Sequence, residues 1–220
     1  MRTIRVTGKG KLKVHPDMTR ITITLEGKDF DYGETLKRSS EDTEQLKATL
    51  VPFGFEPADL KTLSFNVETK YESYKEKDEW KRRFDGYEFT HVLKLEFDSD
   101  NKRLGKILYA LANCRLHPEF CLSYTVKDPE AVKNELLGKA VQDAVAKAGV
   151  LSGAAGLKLG GIQSMDYSWG EIDFEYRPMR GDGLMLAECA SGCADSSYDM
   201  DIEPDDIDVQ DTVTVVWEIA

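Results

Sequence analysis

Most of the signatures that disclose a reaction are missing from this chain. It has four cysteines, Cys114, Cys121, Cys189 and Cys193, in 220 residues. That is too few for a disulfide framework. No C-x-x-C knuckle accompanies them, so Cys114, His117 and Cys121 read as ordinary residues and not zinc ligands. The three histidines, His15, His91 and His117, stand apart, and no G-x-S-x-G elbow occurs. Gly8-Lys9-Gly10 lacks the third glycine of a dinucleotide turn and leads into Lys11-Leu12-Lys13-Val14, not into a helix. It reads as a bend between two strands. The glycines at 153, 156, 160 and 161 lack the Lys-Ser/Thr of a phosphate loop and follow a helix instead of preceding one. Asp199, Asp201, Glu203 and Asp205 have the spacing of a calcium loop, but its sixth position is Pro204 and its twelfth is Gln210. The expectation is therefore no catalytic set, no metal and no cofactor.

Basic charge is also short. Acids outnumber Lys and Arg 40 to 29, a net charge of −11. Nucleic acid is not an expected partner, because phosphate binding calls for a basic face. Residues 171–211 hold 13 acids against Arg177 and Arg180 alone, so this one segment accounts for the whole imbalance. No run of 18 apolar residues exists, so no transmembrane segment is expected. MRTIRVTGKGKLKV has no apolar signal region. As written, the chain reads as cytoplasmic; the alternative is an exported or envelope-associated protein whose leader has been removed.

What is present organises around residues 128–165. Asp128 is a good N-cap, and Pro129 fits the first helical position. Leu136, Leu137, Ala140, Val141, Ala144, Val145, Ala148 and Leu151 then recur at the spacing of one buried helix face. Within it, Ala140, Ala144 and Ala148 make a narrow ridge against which something can lie very close. A strand follows around Ile162 to Tyr167.

Elsewhere, Ile4 and Val6 begin a short strand, and Ile21, Ile23 and Leu25 alternate with Thr22 and Thr24. A helix is expected from about Tyr32 to Leu50, with Leu36, Thr43, Leu46 and Leu50 inward. Leu63, Phe65 and Val67 open a strand that continues through Tyr71 and Tyr74. Residues 75–83, KEKDEWKRR, read as the solvated end of a hairpin, its bases largely cancelled by interleaved acids. Gly86-Tyr87 starts the return strand, with Leu93, Leu95 and Phe97 inward. A helix over 101–113 and a strand with Phe120, Leu122, Tyr124 and Val126 follow. Thr212 to Ile219 closes the chain as a two-faced strand. The fold expected is α+β: an antiparallel or mixed sheet with helices on one face. It starts as a ferredoxin-like βαββαβ unit and continues with a long helix and two further strands. The whole chain, 1–220, is expected to be one domain, with a flexible acidic insertion at about 170–208.

Taken in order, these landmarks resemble the SIMPL-domain family. The resemblance is carried by Val6-Thr7-Gly8-Lys9-Gly10, Pro16-Asp17, Gly54-Phe55, Asp59-Leu60-Lys61-Thr62, Tyr71 and Gly86-Tyr87. It continues with Ala140, Ala144, Lys147, Ala148 and Leu151, then Gly156-Leu157-Lys158-Leu159-Gly160, and Ile202-Glu203-Pro204. The chain departs from the family at Asp205, where a glycine is usual. That family includes bacterial envelope proteins linked to oxidative-stress defence, an immunogenic periplasmic antigen and an animal adaptor of a signalling kinase. The resemblance implies an α+β fold and, in some members, ring-like homo-oligomers. It implies no catalytic residues.

The leading expectation is a non-enzymatic assembly or adaptor domain, tied to a stress response, forming homo-oligomers and open to a protein partner. Tyr71, Tyr74, Trp80 and Tyr87 on the long hairpin are the expected interface, and the last strand is the expected uncovered edge. The alternatives are a protein binding a metal or small cation through 171–211, and an enzyme of unrecognised type.

Overall fold

The computed structural model describes residues 2–76, 79–167, 172, 174–177 and 202–220. Cys189, Cys193, Leu184–Leu186 and most of the acidic insertion lie outside the described residues. The described strands are β1 (Thr3–Val14), β2 (Met18–Asp29), β3 (Lys61–Glu76), β4 (Glu79–Asp98), β5 (Glu119–Thr125), β6 (Leu159–Tyr167) and β7 (Ile207–Ile219). The helices are α1 (Tyr32–Leu50), α2 (Asn101–Ala112) and α3 (Pro129–Ala154). The α+β class holds. The strands divide between two sheets, ordered β1-β7-β6 and β3-β4-β2-β5, and two compact units result.

The unit spanning Met18–Ser123 contains the expected ferredoxin-like start. Strand β4 runs antiparallel to both β2 and β3 and lies between them, so β2 and β3 run parallel to each other. Its core joins Ile21, Ile23 and Leu25 of β2, Leu93, Leu95 and Phe97 of β4, Leu46 and Leu50 of α1, and Leu104, Ile107 and Leu111 of α2. Two caps set the helix starts. Asp31 accepts from the Glu34 amide, and Asp100 accepts from the amides of Lys102 and Arg103. The inner face of α1 differs from expectation. Leu36 is exposed, whereas Thr35 and Ser39 are buried beside Leu46 and Leu50. Thr35 can be buried because its hydroxyl donates to the Asp31 carbonyl at 2.8 Å. Leu63, Phe65 and Val67 open β3 as expected, and on this edge strand Leu63 and Phe65 are exposed.

In the other unit, α3 lies on β1 and β7. Asp128 caps it by accepting from the Ala131 amide at 2.9 Å, and Pro129 is its first residue, as expected. Its buried stripe is narrower than the spacing suggested: Leu136, Ala140, Ala144, Ala148 and Ser152 are buried, while Val145 and Leu151 are exposed. The alanine ridge has a partner. Strand β1 runs unbroken through Gly8 and Gly10, correcting the expected bend. A Cβ on Gly8 would collide with the Ala140 carbonyl and the Ala144 backbone, and one on Gly10 with the Leu136 carbonyl. These glycines let strand and helix backbones touch. The last strand is also longer and placed differently than expected. β7 begins at Ile207 and sits between β1 and β6, so the edges are β1 and β6. Part of the acidic stretch is built in: Phe174 and Ile207 are buried with Val126, Leu136 and Val209, and Tyr176 bridges to Tyr124.

Candidate functional site

The β3–β4 hairpin is the most unusual surface. Its strands pair from Lys61↔Lys94 out to Glu76↔Glu79, so residues 79–83 belong to the solvated end of the hairpin expected there and are themselves strand. A bulge at Lys70/Tyr71 lies opposite Gly86, whose φ of 110° suits glycine. Ion pairs Lys28–Asp85 and Lys70–Glu88 flank this bulge. Beyond it, residues 71–75 and 79–84 are all exposed.

The four expected interface residues are not one patch. Tyr71 and Tyr87 belong to a row completed by residues the sequence reading missed. Tyr32 meets Tyr87 at 5.4 Å, Tyr87 meets Phe84 at 5.2 Å, and Phe84 meets Tyr71 at 6.1 Å, all edge to face. Arg82 then lies 5.2 Å over the Tyr71 ring. Trp80, 74% exposed, shares this face by register, since paired residues share a face and successive ones alternate. Tyr74 lies on the opposite face, 5.9 Å from Arg83. The signal that could have found Phe84 is the Gly86 bulge, which resets the alternation so that residues 84 and 87 meet.

His91, on β4, is half-buried. Burial, aided by the charge of Lys47, holds its pKa below the usual imidazole range. Thr43 donates its proton to the Ser39 carbonyl at 2.7 Å, so its oxygen accepts from His91 Nδ1 at 3.2 Å, and His91 Nε2 accepts from Thr62 at 2.9 Å. This is a satisfied neutral imidazole linking β4 to α1 and β3. The concavity lined by Lys11, Leu12, Lys13, Asp208, Val209 and Gln210 does not include it. His15 lies 3.3 Å from Asp206, and His117 occupies a turn at φ 44°. Cys114 is buried and Cys121 exposed. Among the described residues no three His, Cys, Asp or Glu side chains converge as a metal would require. Also among them, no helix is long and apolar enough to cross a membrane.

The sheet order, the glycine–alanine contact and the long hairpin together define an α+β protein. A family model, SIMPL, described as a protein of unknown function (DUF541), matches residues 4–217. The chain belongs to the SIMPL family. It is 28% identical over 160 residues to the 26 kDa periplasmic immunogenic protein of Brucella melitensis, covering 72% of this chain and 64% of that protein. The protein of the same description from Brucella abortus is 27% identical over the same coverage. The chain thus matches less than two thirds of the length of these curated relatives.

Proposed function

We propose that this chain is a non-enzymatic assembly and adaptor domain that forms homo-oligomers. The observation that carries this reading is the apolar character of edge strand β6, set against the engaged edge of β1 and the charged edge of β3. At β1 the Lys9 amide is engaged by Asp143 of α3. Edge strand β3 carries Lys61, Lys70 and Lys75, charges of the kind that blunt an edge. Strand β6, LGGIQSMDY, has no Lys, Arg or Pro. Its register shifts lie before Ser164, leaving Ser164–Tyr167 regular against β7. Ile162 pairs beside Trp217 and Met165 beside Val215, yet Ile162 is 53% and Met165 45% exposed, as is Val145 on α3 at 46%. An apolar edge strand is a template for a second copy. The hairpin, with Tyr71, Trp80 and Tyr87 on one face and Tyr74 on the other, is the second contact element and serves the adaptor role.

The relatives named as periplasmic support an exported setting, and the family resemblance supports a stress-related role. The test is sedimentation of the intact protein and of Met165→Lys. The intact chain should sediment as an oligomer, and the variant should shift toward monomer with its circular dichroism unchanged. An intact protein that sediments as a monomer would overturn the reading.

A further inference from the structure

We propose that the face of the hairpin carrying Trp80, Arg82 and Tyr71 docks onto an anionic phospholipid surface. This names the partner of the second contact element and rests on reading the hairpin as one. Counted along the chain, the charges of residues 75–83 nearly cancel. The pleat separates them. Three successive cross-strand pairs on one face, Tyr71–Phe84, Ser73–Arg82 and Lys75–Trp80, contain no acid. The opposite face holds Glu72–Arg83 and Tyr74–Lys81, and there Glu72 engages Arg83 at 2.6 Å. Arg82 has no carboxylate partner among the described residues; its guanidinium rests on the Tyr71 ring.

The shape favours lipid over peptide. A projecting two-stranded ribbon offers no groove for a peptide's anchors, and the lysines of edge strand β3 discourage addition of an extended peptide. A headgroup layer instead yields around a convex finger. Indole rings settle at that interface, and basic side chains are drawn to the anionic leaflet. Trp80 and Arg82 lie two residues apart on one strand, roughly 7 Å along it, so both can reach that layer together. Trp80 is next to the end of the described ladder and is 74% exposed. The row from Tyr71 back to Tyr32, with the ion pairs at the bulge, holds the finger in place.

The test is co-sedimentation of the full chain with vesicles of phosphatidylcholine alone and of phosphatidylcholine with about one third phosphatidylglycerol. The phosphatidylglycerol vesicles should bind it and the neutral ones should not, with binding reduced at about 0.5 M salt. Tryptophan emission should shift to the blue, and Trp80→Phe should remove the shift. Arg82→Glu should weaken binding about tenfold, the cost of reversing one interfacial charge. Arg83→Glu, on the opposite face, should weaken it clearly less. No binding to phosphatidylglycerol vesicles, or equal losses from the two reversals, would overturn the proposal. So would capture of soluble polyglutamate by the intact chain that is lost in Arg82→Glu, because it would make the partner an acidic polypeptide. Light scattering on the same samples separates the two readings: an oligomer that ignores vesicles refutes only the lipid partner, and a monomer that binds them refutes only the assembly.

Discussion

The backbone amide of Lys9 donates to Asp143 Oδ2 at 2.7 Å. Lys9 lies between Gly8 and Gly10 on β1, and Asp143 lies beside Ala144 on α3. The same carboxylate accepts from Lys147 one helical turn on, at 2.6 Å. The Lys147 hydrogen bond, and then the Lys9 amide, hold the Asp143 carboxyl below the usual carboxylate range. Two stretches of sequence that carry the family resemblance, more than 130 residues apart, therefore form one contact. Glycines bring the backbones together, alanines receive them, and an aspartate occupies the open strand edge.

This contact leaves no room for a methyl group. Gly8→Ala should lower stability by about 2 kcal/mol or more, the usual range for overpacking where backbone must move. Thermal melting followed by circular dichroism measures it. Adding Ala144→Gly removes the Ala144 methyl but not the backbone collision with Ala140 and Ala144, so rescue should be partial. No loss in Gly8→Ala would contradict the close approach.

His91 should make stability fall in mild acid. Its folded pKa is lowered by burial, then by Lys47, while the unfolded value is about 6.5. The unfolded chain binds the proton more readily, so the stability is present above about pH 6.5 and is lost as pH falls through the folded pKa. The melting temperature of the intact chain should drop between about pH 7 and pH 5, and His91→Gln should drop less over that range. Equal drops would remove His91 as the cause.

Local signals were legible and distant ones were not. Asp128 and Pro129 mark the start of α3 because capping depends on neighbours in sequence. The alternation of Ile21, Ile23 and Leu25 found the core face of β2 for the same reason. The alanine ridge announced a close approach without naming its partner, and Gly8 and Gly10 looked like a bend because their reason lies on another element. Leu36, Val145 and Leu151 fit a helical stripe yet stay exposed: spacing fixes direction, but a neighbour must be there to cover the residue. The hairpin's charges appeared mixed because the face each occupies depends on a register that the bulge at Lys70/Tyr71 resets.

The last strand should be indispensable. β7 lies between β1 and β6 and supplies Val213, Val215 and Trp217 to the core beneath α3. Deleting residues 209–220 should abolish the sharp thermal transition of the intact chain. A truncated chain that melts as sharply as the intact one would contradict this.

Assembly is tested most directly by the mass of the intact chain in solution. Multi-angle light scattering should be run across protein concentration, at low and at high salt. The predicted result is a whole-number multiple, two or more, of 24.8 kDa. Its proportion should rise with salt if the acidic 171–211 segments of neighbouring copies lie close together, because salt screens their repulsion. A mass of 24.8 kDa at every concentration and both salt levels would contradict the claim.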